Sequence, residues 1–162
     1  MQCTGLSFWI VCQDSDVIGI NVALSPGQAA DEGIREDTLL VSSSNAPWTR
    51  ADTPGQSEFL RAFRDYAPGL VPDAVAMAAW ASGKLFEAAI NRLGPPGRAP
   101  ALTTELILDG LGRIRNETLG GLAPPITFRP GQAAAPRLNC VYVELLTPAG
   151  WSTPRGSEPL CH

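Results

Sequence analysis

The sequence predicts an α/β domain, and three observations carry that expectation. A helix-rich middle, residues 54–118, lies between extended apolar or β-branched runs on both sides. Its helical segments open at Pro or Thr and close at Gly or Pro, the punctuation of capped helices. Over 162 residues the chain is 44% hydrophobic and 17% charged, the balance of one ordinary soluble domain.

Taken in order, Gly5 to Val11 is a short apolar run that reads as a buried strand. The acidic stretch QDSDVIG from Gln13 reads as a loop, and Ser25-Pro26-Gly27 as a turn. Thr38 to Val41 is β-branched and apolar, hence a strand, and Ser42 to Thr53 is a polar connection. Thr53 before Pro54, with Gln56 at the third helical position, is a capping box. Phe59, Leu60, Phe63 and Tyr66 then recur at helical spacing until Pro68-Gly69. The longest helix opens at Pro72-Asp73 and closes at Gly94-Pro95, with Val75, Leu85, Phe86, Ile90 and Leu93 on a wide apolar face. Its small-residue middle, Ala76 to Gly83, suits close packing, while its first turn offers free amides to an anion. Gly94-Pro95-Pro96-Gly97 is a rigid linker, and Thr103 or Thr104 caps a third helix carrying Leu106, Ile107, Leu111 and Ile114. Gly120-Gly121 and Pro124-Pro125 make a hinge-like link, Asn139 to Leu146 reads as a strand, and Thr147 to His162 as a polar tail.

Composition removes several function classes. The net charge is −4, and the 11 arginines are scattered beside a single Lys84, which leaves no basic stripe for nucleic acid. No segment approaches about 18 uninterrupted apolar residues, and no Lys or Arg precedes the short N-terminal apolar run, so neither a membrane span nor an export signal is expected within this chain. The only histidine is the terminal His162, which makes a nucleophile–histidine triad implausible. Lipase, zinc-protease and P-loop motifs are absent. The acid pairs Asp14/Asp16, Asp31/Glu32 and Glu36/Asp37 read as solvated. We therefore expect no enzyme, no metal site and no cofactor.

The four cysteines fall in two end-wise pairs, Cys3 with Cys12 and Cys140 with Cys161. That arrangement suggests two local disulfides in an oxidising compartment, although four cysteines allow three connectivities.

The run of elements from Glu32-Gly33 through Ser57–Gly69, Pro72–Gly94 and Leu102–Ile114 to the Gly-Gly turn and ITF stretch at Leu119–Gly131 resembles the type I periplasmic binding proteins. These are the extracellular receptors of branched-chain amino acid and related importers, and the resemblance spans about residues 27–151. It implies a partial type I fold, with helices on a parallel sheet and lobes linked by hinge strands. Residues 1–40 would belong to a C-terminal lobe, 41–53 to a hinge crossing, 54–118 to the helical part of the N-terminal lobe, 119–146 to the return crossing and final strand, and 147–162 to the tail. Leu39–Asn45 and Ile126–Gly131 would be the crossing segments themselves. The resemblance implies an extracellular or periplasmic receptor, membrane-associated at full length. It would bind a small polar ligand, an amino acid, amide or urea-like solute, and deliver it to the permease of an ATP-driven importer. By position, Asp14 or Asp16 would supply an acid to the ligand, and the helix start from Asp73 to Met77, including Val75 where the family often has an aromatic, would supply a side chain. The family's first two thirds are missing from this pattern, so a separate N-terminal half is expected as a partner. Without it, two helices would present uncovered apolar faces, and the chain alone is expected to hold no amino acid tightly. A ligand-sensing domain of a regulator is the alternative from the same fold, and an enzyme of unknown type a more distant one.

Overall fold

The computed structural model describes residues 3–6, 9–12, 16–20, 27, 30, 38–94, 101–131 and 135–161. Its strands are β1 (Cys3–Leu6), β2 (Trp9–Cys12), β3 (Asp16–Ile20), β4 (Thr38–Ser43), β5 (Cys140–Thr147), β6 (Gly150–Ser152) and β7 (Leu160–Cys161). Between β4 and β5 lie α1 (Pro54–Tyr66), α2 (Ala74–Asn91) and α3 (Thr104–Gly112). Asp14, Pro26, the pairs Asp31/Glu32 and Glu36/Asp37, Pro95–Gly97 and His162 lie outside the described residues.

The strands form one mixed sheet in the order β1-β2-β3-β4-β5-β6, with β7 also paired to β5. Parallel pairing, expected throughout, occurs among the described strands only between β3 and β4. The other pairs are antiparallel. Connection length accounts for much of this. Residues 7–8 and 148–149 allow only hairpins, whereas residues 21–37 leave the dozen or more that a parallel crossover needs.

Three local expectations are corrected. The run expected as one strand from Gly5 to Val11 is a hairpin of β1 and β2, which places Cys3 directly opposite Cys12 in the ladder. The stretch expected as an acidic loop becomes β3 from Asp16 onward, because Val17, Ile18 and Ile20 favour a strand more than Asp16 disfavours it. The tail is not simply a tail, since β6 and β7 both pair with β5. A disulfide between Cys140 and Cys161, opposite each other in the ladder, pins β7 there. It closes a loop of sequence separation 21, which by chain entropy contributes on the order of 3 kcal/mol.

The helices begin where expected. Thr53 caps α1, its hydroxyl accepting from the Gln56 amide while the Gln56 side chain accepts from the Thr53 amide. Thr103 caps α3 through the Leu106 amide. One core joins helices to sheet: Phe59 of α1, Met77 and Ala81 of α2, and Leu146 of β5 meet Trp48, Leu119, Leu122, Ala123 and Ile126. Along β5, Tyr142, Glu144 and Leu146 are buried while their neighbours are only partly so, the period-2 pattern of a strand with one covered face.

The connection from β4 into α1 lies against the Gly-Gly turn, next to but outside the segments expected as crossings, Leu39–Asn45 and Ile126–Gly131. The Ala46 amide donates to the Leu122 carbonyl at 2.9 Å, and the Gly55 amide to Gly120 at 2.9 Å. At Gly121, φ is +90°, and a β-carbon there would run into the Thr53 side chain. Only glycine suits both demands, so the Gly-Gly turn is what lets the return segment lie against the start of α1.

Candidate functional site

The return segment is extended and held from one side. Glu117 and Ile126 exchange backbone hydrogen bonds at 2.9 and 2.8 Å, and the Phe128 amide donates to the Ile114 carbonyl at 3.3 Å. The Arg115 guanidinium clamps the same stretch, its Nη1 donating to the carbonyls of Gly112, Ile114 and Phe128 at 2.7, 2.7 and 2.8 Å. Ile126 is buried and Phe128 packs against the core. Pro125 and Arg129 are exposed and Thr127 is partly so.

These three residues form one wall of a notch of about 410 Å³. The approach to β5, from Ala135 through Pro136 and Arg137 to Leu138, forms the other. The Thr127 hydroxyl is already committed, accepting from the Asn116 amide at 2.9 Å and donating to Asn116 Oδ1 at 3.3 Å. Among the described residues, Arg129 and Arg137 are the notch's only charged side chains, and neither makes an ion pair.

A second hollow, of about 570 Å³, runs between α1 and α2 over Phe59, Phe63 and Trp80. Its rings are packed at centroid distances of 5.5 Å (Phe59–Phe63) and 6.1 Å (Phe59–Trp80). On its rim the Lys84 ammonium is bonded to Glu87 at 2.7 Å and Glu58 at 3.3 Å, and Glu87 foremost holds its pKa above the ordinary lysine value. This furrow is apolar with its charges satisfied, so it offers a polar solute little.

At the start of α1, the Ser157 hydroxyl is shared between Asp52 Oδ2 at 3.0 Å and Gln56 Oε1 at 2.9 Å. Arg50 first, and Ser157 after it, keep the Asp52 carboxyl below the usual carboxylate range. These bonds fasten the tail to the capping box, a structural role. Buried Glu144 has no hydrogen-bond partner for Oε2 among the described residues, and burial pushes its pKa up to about 7. Its neighbour on the same face, Tyr142, is pushed up to about 12 by the same cause.

The residues singled out from the sequence are not gathered at either hollow. Asp73 is the N-cap of α2, its carboxylate accepting from the Ala76 amide at 2.7 Å. Val75 is 58% exposed on the first turn of that helix. Asp16 opens β3 opposite Thr38, at the amino end of the parallel pair, whereas open α/β sheets bind ligands beyond the carboxyl ends. Arg129 and Arg137 were not among the expected residues. Their signal was the alternation in Pro125-Ile126-Thr127-Phe128-Arg129, two apolar side chains turned inward and a cation turned out.

Among the described residues no helix is long and apolar enough to cross a membrane. No curated protein sequence and no solved structure matches the chain. A family model for the periplasmic binding proteins matches residues 8–139, most of the 162-residue chain, including the three helices and the return-segment wall of the notch. The chain therefore belongs to the periplasmic binding proteins, as a domain of the type I kind.

Proposed function

We propose that the chain serves in an extracellular or periplasmic solute receptor, closing over a small polar ligand and presenting it to an importer permease. The observation that carries this reading is the pairing of the connection from β4 into α1 with the Gly-Gly turn, Ala46 on Leu122 and Gly55 on Gly120, in a chain of this family. Segments that cross side by side between a sheet and a helical layer are where hinge closure concentrates its change in φ and ψ. The notch beside the return segment has the size of a small-molecule site. In this reading residues 1–40 and 147–162 lie on one side of the crossings and 54–118 on the other. Binding is non-covalent and shared between both sides of the closure.

The test is a thermal-shift and calorimetric screen of the purified chain against amino acids, simple amides, urea and small organic acids. One chemical class should raise the melting midpoint in a saturable way, because a ligand that binds only the folded state stabilises it. A flat response to every class would remove the receptor reading. If the chain instead transferred or hydrolysed any of these solutes, the enzyme alternative would take its place.

A further inference from the structure

We infer that the notch between the return segment and β5 is an oxyanion site, in which Arg129 and Arg137 together receive a small carboxylate or phosphoryl ligand. This rests on the reading of that notch as the solute site and narrows its ligand class. Among the described residues, Arg50, Arg64, Arg92, Arg113 and Arg155 each lie within 4.0 Å of a carboxylate. Arg61, Arg115, Arg129 and Arg137 do not; Arg115 is spent on backbone carbonyls, whereas Arg129 and Arg137 line the same hollow of about 410 Å³. Two like charges lining one hollow repel each other, and among the described residues no acid lines it to offset them. An anion placed between them removes that repulsion, and a planar guanidinium matches a carboxylate or phosphoryl group through paired hydrogen bonds.

The rest of the lining argues against other ligand classes. Thr127 spends its hydroxyl on Asn116, so it is not free to serve a ligand. With no carboxylate in the lining among the described residues, an ammonium finds no counter-charge there, and a neutral urea or amide leaves both cations uncompensated. A zwitterionic amino acid would satisfy one end only. Pro125, Pro136 and Leu138 instead supply apolar wall for a short hydrocarbon body. The clamp by Arg115 and the exchanged bonds of Glu117 with Ile126 hold one wall in place before any ligand arrives, so little ordering remains to be done on binding.

The experiment is titration calorimetry of the full chain with sodium succinate and, separately, inorganic phosphate, with L-leucine and acetamide as non-anionic probes. Succinate, phosphate or both should bind saturably and more weakly as salt is added. Arg129→Gln and Arg137→Gln should each weaken that binding about tenfold or more, the scale of one charge-assisted hydrogen bond. Arg61→Gln, an exposed arginine on α1 away from the notch, should leave it unchanged. Because Arg129 and Arg137 are both exposed, the variants should keep the parent's melting midpoint. Preference for succinate over phosphate identifies an organic acid as the source, and the reverse a phosphoryl compound. Anion binding indifferent to both substitutions, or no saturable binding of either anion, overturns the inference. L-leucine or acetamide binding that ignores Arg129 and Arg137 would do so too while leaving the solute-receptor reading intact.

Discussion

Glu144 occupies a core-facing position of β5 with only 1% of its surface exposed and one carboxyl oxygen unpartnered among the described residues. Burial disfavours the carboxylate, so the folded chain holds this proton up to a pH of about 7, against an ordinary value of 4.5. The folded state therefore binds the proton more tightly than the unfolded state does. The resulting stability is fully present below pH 4.5 and is lost as the pH rises through 7. The loss amounts to at most about 3 kcal/mol, taking 1.36 kcal/mol per unit. Glu144→Gln should flatten the pH dependence of the urea midpoint across that window, and at pH 8 should be the more stable protein. Equal slopes for parent and variant would show that the carboxylate ionises in place without cost.

Between elements, α2 and α3 approach each other at one small-residue contact. Ala89 is fully buried in α2, and a β-carbon at Gly110 of α3 would press into the Ala89 carbonyl. In an isolated helix, alanine would be favoured over glycine by about 1 kcal/mol. Here the obstacle is backbone, which cannot swing aside, and overpacking of this kind costs about 1–3 kcal/mol. The two effects oppose each other, and the clash is the larger. Gly110→Ala should lower the melting midpoint, and Gly83→Ala, where a β-carbon meets open space in the middle of α2, should raise it. A Gly110→Ala variant as stable as the parent would mean that α3 can slide on α2.

At the scale of the whole molecule, several large apolar side chains stay exposed among the described residues. Uncovered apolar faces were expected from Phe59, Leu60, Phe63, Phe86, Ile90 and Leu93, but Phe59 is buried in the shared core and, of that group, Phe86 alone is strongly exposed, at 47%. Among the described residues, the three largest exposures are Tyr66, Leu70 and Val71, around the turn joining α1 to α2, followed by Leu108 on α3 and Val75 at the start of α2. Large exposed apolar patches are uncommon on soluble monomers. The purified chain should bind a hydrophobic dye or self-associate, and replacing Leu70 and Val71 by Ser should reduce either behaviour. A monomer by light scattering with negligible dye binding would show that this patch is too small to matter.

What the sequence by itself determined was local: the capping box of Thr53 and Gln56, a cap at Thr103 or Thr104, the starts and approximate ends of three helices, and the Gly-Gly turn. Each depends on residues within one turn of one another, where backbone donors must be satisfied whatever surrounds them. The order of those elements was enough to show the resemblance that the family match confirms. The β5 strand and the pairing of Cys140 with Cys161 were legible for a related reason, since alternation and end-wise spacing are properties of short stretches. Tertiary structure alone decided what depends on residues far apart in sequence. Hairpin pairing rather than parallel pairing, the use of Val17–Ile20 as a strand, and the docking of β6 and β7 on β5 all follow from which edges remain free once neighbouring strands are in place. The candidate site belongs to this second class. Asp73 caps its own helix through the Ala76 amide, while Arg129 and Arg137 come to line one notch only because the return segment folds back beside the approach to β5.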